Sequence, residues 1–245
     1  MIRENETRQD AAVSETIGYI LMFAIVVLSM SFIYVMGYPV LQSNMDTSIF
    51  ESSEQNFIVL QSNMKMVAFE HIPVKNMKMK LYSSSLATTN ESQISIQYDT
   101  NTVHHYLGGI GYYKDDNMLL YENGAIFKRY HPRGDVMVSE PRIYSSTMNN
   151  VNITTIGLIM VDGNSGAGGS SIVTVNMQHN DSSLIRTDDT VNVTLSMNSR
   201  FAPLWKEYLE NIGFTTATYT DTTLTSYRND TMLIIGQHFI DVEIK

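Results

Sequence analysis

Few residues in this chain of 245 stand at the spacings that chemistry requires. His104-His105 are adjacent, so on a strand they point to opposite faces and make poor joint metal ligands. Asp162-Gly163-Asn164 starts like a calcium loop, but Val173 stands at the twelfth position, where a bidentate Glu is needed. Gly108-Gly109-Ile110-Gly111 lacks the third glycine of a dinucleotide loop, and no βαβ pattern surrounds it. The Gly-rich stretch Asp162–Ser170 lacks the Gly-Lys-Ser/Thr of a phosphate loop. Arg133-Gly134-Asp135 reads as a turn between two strands. Trp205 and Tyr208, at i and i+3, read as plugs that seat a helix on a sheet. The chain has no cysteine, hence no disulfide framework and no thiolate metal site. No serine sits in a nucleophile elbow, and no enzymatic activity, cofactor or metal is expected. One carboxylate does stand apart. Glu15 is the only charge between Ala12 and Asp46, at the very start of a long apolar run.

That run organises the chain. From Thr16 to Met45 there is no charged residue, and roughly 20 apolar residues suffice to cross a bilayer as a helix. Ile20, Leu21, Phe23, Ile25, Val26, Val27, Leu28, Phe32, Ile33, Val35 and Met36 fall all round the helix axis, so the segment must be covered on every side. Gly18 and Gly37 leave room for close approach of neighbouring backbones. Gly37-Tyr38-Pro39 predicts a kink. Helical spacing then resumes through Ile49, Phe50, Phe57, Leu60, Gln61, Met64 and Val67, with Val59 nearby, and stops before Pro73. The expected division is a leader over 1–12, a long helix over 13–70 (membrane and assembly part 16–40, stalk 40–70) and a domain over 71–245.

After Val74 the apolar period changes from helical to two. Met77, Met79 and Leu81 alternate with lysines, and Ile94, Ile96 and Tyr98 alternate with polar residues. Asn123-Gly124 between two such runs predicts a hairpin, since both residues tolerate positive φ. Strands follow at Asp135–Ser139, Ile153–Val161, Ser171–Met177, Thr190–Met197, Thr216–Tyr219, Thr223–Tyr227 and Met232–Ile244. Arg200–Ile212 carries apolar residues at helical spacing, and Gly213 stops it. The expected fold is α+β: a long N-terminal hydrophobic helix, then a mainly antiparallel, sandwich-like β domain with one short helix.

Net charge is −9, and a leader holding Arg3 and Arg8 against Glu4, Glu6 and Asp10 leaves −8 on the rest. Such a chain lacks the basic patch that nucleic acid requires. The two arginines before the helix give a weak positive-inside signal, with the leader inside and the large domain outside. Asn90, Asn152, Asn180, Asn192 and Asn229 each open a glycan-acceptor triplet in that domain. Asn5 opens one too, within the leader.

The order of these parts carries a resemblance. A short polar leader ends in Ala11-Ala12, then VSETIG abuts the apolar run, so residues 9–22 read QDAAVSETIGYILM. This resembles the class III signal peptide of archaeal type IV pilins, although Gln9-Asp10 stand where a basic residue is usual. In the body, YENGAIFKRY (121–130), VMVSEPRIY (136–144) and RFAPLWKEY (200–208) look like a family of archaeal pilin-like surface proteins without assigned activity. The resemblance implies cleavage by a prepilin peptidase between Ala12 and Val13. It implies assembly with itself or other pilin subunits through the helix, around Gly18, Ile25 and Val26, and passage from the membrane to the cell surface, with minor or adhesive use. Cleavage would free an amine two residues from Glu15. In bacterial pilins a carboxylate early in the mature helix pairs with such an amine of a neighbouring subunit. The alternative is a single-pass anchored surface protein whose β ectodomain binds a ligand or partner.

Overall fold

A computed structural model describes residues 3–70 and 72–245, with side chains described from Thr16 onward. The chain divides into two units, Met1–Ser52 and Ser53–Lys245. Helix α1 (Arg3–Phe69) begins in the first unit and ends in the second. It continues through Pro39, which removes only one intrahelical N–H while the turns on either side keep theirs. Within the second unit its buried apolar residues are Phe57, Leu60, Met64, Val67 and Ala68, the stripe of an amphipathic helix. Val59 lies off that stripe and is exposed. The helix stops where Glu70 and Ile72 both donate to Met66 O, with Pro73 next.

Fifteen strands and one further helix follow. They are β1 (Val74–Lys80), β2 (Ser84–Thr89), β3 (Gln93–Tyr98), β4 (Asn101–Tyr106), β5 (Gly109–Lys114), β6 (Asn117–Glu122), β7 (Ala125–Tyr130) and β8 (Gly134–Ser139). Then come β9 (Ile143–Met148), β10 (Val151–Asp162), β11 (Gly166–Gly169), β12 (Ile172–Arg186), β13 (Val191–Asn198), α2 (Ala202–Asn211), β14 (Thr215–Tyr219) and β15 (Thr223–Ile244). The alternation expected from the sequence is present: Met77 and Met79 point inward while Lys78 and Lys80 face solvent.

Two sheets result. One has six strands in the order β11-β2-β5-β6-β7-β8, all antiparallel. The other has nine and is built around β15. The first half of β15 pairs with β13 and β14, and its second half pairs with β12 and, in parallel, with β10. The core draws on both sheets and on α2: Ile94, Ile96, Leu195 and Ile235 from one sheet, Leu120 and Phe127 from the other, Trp205 and Leu209 from the helix. The domain is therefore sandwich-like and mainly antiparallel, with one parallel pairing that alternation alone does not predict. Trp205 and Tyr208 seat α2 on this core as their spacing suggested. Gly213, at φ 93°, ends α2, and Arg228 Nη1 donates to the carbonyls of Ile212 and Gly213, a cation on the negative end of the helix.

Candidate functional site

The feature that sets this chain apart is the surface of α1 between Thr16 and Met45. Every large apolar side chain there is exposed, from Ile17 and Phe23 to Val40 and Met45. At 1.5 Å per residue the charge-free run is ~45 Å long, against ~30 Å of bilayer hydrocarbon. Its two mid-run hydroxyls are already satisfied. Ser29 Oγ donates to Ile25 O at 2.7 Å and Ser31 Oγ to Val27 O at 2.8 Å, so neither hydroxyl needs water. Ile25 and Val26, 55% and 46% exposed, lie mid-run as expected of contact residues. Gly18 has no heavy atom within 4 Å of where a Cβ would stand, and Gly37 only Cγ2 of Ile33 one turn earlier, so both mark thin places on the cylinder. Tyr34 and Tyr38 stack at 5.6 Å between ring centroids, putting two amphipathic rings on one side near the end of the run. Ala12, Val13 and Glu15 lie outside the residues whose side chains are described.

A second constellation was only half legible in the sequence. Asn123-Gly124 makes the hairpin between β6 and β7, at φ 47° and 78°. This turn is buried rather than presented to solvent. Gly124 O accepts from Gln61 Nε2 at 2.5 Å, Asn123 Oδ1 accepts from Ile159 N at 2.9 Å, and Gln61 also meets Ser139 Oγ. Next to it, Glu122 is fully buried. Its carboxyl accepts from Trp205 Nε1 at 2.7 Å, from Ser199 Oγ at 3.1 Å and from Ser92 Oγ. Burial pushes Glu122 above the usual carboxylate range, and the donors from Ser92, Ser199 and Trp205 only partly oppose it. The turn thus ties α1, β10 and α2 together. It is a structural hub, since the acceptor atoms are taken up by the protein itself.

Other expected residues stay apart. His104 and His105 occupy opposite faces of β4: His105 bonds to Gln237 at 2.5 Å and packs on Phe239, while His104 is exposed. Ser182, which the sequence did not single out, sits between two imidazoles, 2.9 Å from His179 Nε2 and 2.8 Å from His238 Nδ1, because a bulge in β12 brings 179 and 182 together. Among the described residues no group of three metal-binding side chains exists. Of the glycan-acceptor asparagines, Asn90, Asn180, Asn192 and Asn229 are exposed and Asn152 is half-buried. Asn180 donates its amide to both oxygens of Asp241, at 3.0 and 3.2 Å.

Two relatives from Archaeoglobus fulgidus, both described as uncharacterized proteins, resemble most of the chain. One is 23% identical over 274 residues, covering 89% of each chain; the other is 22% identical over 223 residues, covering 81% of this chain and 80% of the relative. No solved structure matches. Residues 11–243, the apolar helix and the β domain together, match one family along their length, and the chain belongs to that family of unknown function, DUF7289.

Proposed function

We propose that this chain is a type IV pilin-like subunit of a cell-surface filament, held first in the membrane and then in the filament by the same helix. The observation that carries the reading is the apolar surface of α1, exposed on all sides from Ile17 to Met45 and free of unsatisfied hydroxyls at Ser29 and Ser31. In water such a surface forfeits roughly 25 cal/mol for every Å² left uncovered, so it needs lipid or other helices around it. Hydrocarbon satisfies it in the bilayer, and neighbouring copies satisfy it in a filament. The polar leader with Ala11-Ala12 directly before the apolar run supports processing by a prepilin peptidase, because a simple anchor has no use for such an order. The β domain then lies outside the cell, where a domain without cysteine depends on its own core, and minor or adhesive use suits its size.

N-terminal sequencing of the protein from cells, with and without the peptidase, tests this. Val13 should be the first residue when the peptidase is present and Met1 when it is absent. Ala12→Arg, which puts a bulky cation at the cut, should leave full-length protein. An intact Met1 on surface protein from peptidase-bearing cells would overturn the reading in favour of a permanently anchored ectodomain.

A further inference from the structure

Among the strands of the β domain that pair on one side only, β8 and β1 have edges of opposite character. β8 bonds only to β7 and β1 only to β12, so each presents a row of backbone donors and acceptors that no strand occupies. The strands are matched in length, six and seven residues. Between β8 and α2 runs a groove of about 380 Å³ with Val136, Met137, Leu204 and Tyr208 along it and Glu140 and Glu207 beside them. Both carboxylates are exposed, and among the described residues neither takes part in an ion pair. Asp135, in the same groove, is already held by Arg129 through two hydrogen bonds of 2.8 and 2.7 Å.

β1 is the complement. It carries Lys75, Lys78 and Lys80, in a chain of net charge −9 with only 16 basic residues. None of the three pairs with a carboxylate among the described residues. Lys78 and Lys80 are exposed on the face opposite the buried Met77 and Met79. Lysines on an edge strand keep it from pairing with the same edge of another copy. They do not repel an edge bordered by carboxylates.

We propose that β1 of one copy seats on the β8 edge of the next, with Lys78 and Lys80 meeting Glu140 and Glu207. The contact joins two different surfaces, so it is heterologous and propagates along a row of subunits instead of closing as a two-fold dimer. It rests on the reading of the chain as a self-assembling subunit, and adds a contact between folded domains to the one between helices.

Full-length protein in detergent micelles tests it, because detergent shields the apolar helices from one another. Equal amounts of nitrogen-15-labelled and unlabelled protein are mixed and treated with a carbodiimide, which joins an amine to a carboxylate in direct contact. Mixed-label peptides linking Lys78 or Lys80 to Glu140 or Glu207 are expected, and they should vanish at 1 M salt, where charges are screened beyond ~3 Å. The double variants Lys78→Glu/Lys80→Glu and Glu140→Lys/Glu207→Lys remove the reacting groups themselves, so their self-association is read by sedimentation without the carbodiimide. Each should lose roughly tenfold or more of the associated species. Mixing the two should restore it, since each retains the edge that the other lacks. Absence of these links in the unaltered protein, or self-association that persists undiminished in both variants, would overturn the proposal. The unaltered protein decides the matter alone if a variant fails to fold. Absent edge links leave helix-driven assembly standing, whereas an uncut leader defeats the subunit reading without touching the cross-link.

Discussion

Replacing Glu122 by Gln should flatten the pH dependence of stability. The carboxyl is fully buried and held by three donors, from Ser92, Ser199 and Trp205. Each hydrogen bond to a charged group contributes about 1.5–3 kcal/mol. Removing a carboxylate from water costs several kcal/mol even after relaxation. Burial is the larger effect, so the folded-state pKa lies above the ordinary value. Between these two pKa values the native state holds a proton that the unfolded chain has released. Stability contributed by this group is therefore complete below the ordinary carboxylate pKa and falls as pH rises towards the raised one. The slope in that window is up to about 1.4 kcal/mol per pH unit. Gln reproduces the protonated shape: its oxygen still accepts from Trp205, its amide faces the two serines, and their hydroxyls rotate to accept. Other carboxylates titrate over the same range, so the quantity to measure is the difference between variant and parent. Denaturant unfolding in mild detergent at pH 4.5, 6 and 7.5 supplies it. The variant should gain on the parent as pH rises. A difference that stays constant, or a parent that gains on Glu122→Gln with rising pH, would show that the carboxylate is stabilised in place and refute the reasoning.

Two further tests address the fold and the helix. Gly108 has φ +60°, and a Cβ there would stand 2.0 Å from Val161 O, so Gly108→Ala should cost about 3 kcal/mol through strain and overpacking together. Gly134, at φ +104° with no atom within 4 Å, is the control: Gly134→Ala should cost only about 1 kcal/mol, and equal losses in denaturation midpoint would mean that the close approach at Gly108 is immaterial. Ile25→Asp should abolish membrane retention and filaments together, since a charge at mid-helix costs about 3 kcal/mol on insertion. Fractionation and electron microscopy of cells read both, and normal filaments from this variant would contradict the shared role of the helix.

The sequence made the long helix legible because a charge-free run, and then a stripe at Phe57, Leu60, Met64 and Val67, are strong one-dimensional signals. It made β1, β3 and β13 legible through their inward alternation, and β10 through a continuous apolar run. It hid β5, because Gly109 and Gly111 look like loop residues. In the structure they are glycines for lack of room: a Cβ on Gly109 would lie 2.6 Å from Tyr121 O, and one on Gly111 would lie 2.5–2.7 Å from the ring end of Tyr113. It hid β11 for a similar reason, since Gly166–Gly169 is a short edge strand with almost no side chains to alternate. The hairpin at Asn123-Gly124 was visible, yet its burial was not. A turn residue that accepts from Ile159 across the molecule reads in the sequence like one facing solvent, because the partner is 36 positions away. The pairing of β1 with β12 and of β10 with β15 likewise depends on contacts that no local pattern contains.

The place of β15 has a consequence for how the protein is made. Residues 223–244 are synthesised after every strand they join: β10, β12, β13 and β14 all wait for them. β1 and β3, near the start of the domain, wait in turn for β12 and β13. A sheet closed by such distant pairings forms slowly and leaves its strand edges open meanwhile. The nine-stranded sheet therefore cannot lock before residues 223–244 have emerged. If the domain is carried across a membrane, this late closure keeps it in a translocatable state without a dedicated unfolding step, and the same delay makes the tethered, half-made domain the moment of greatest exposure to proteases and to wrong partners.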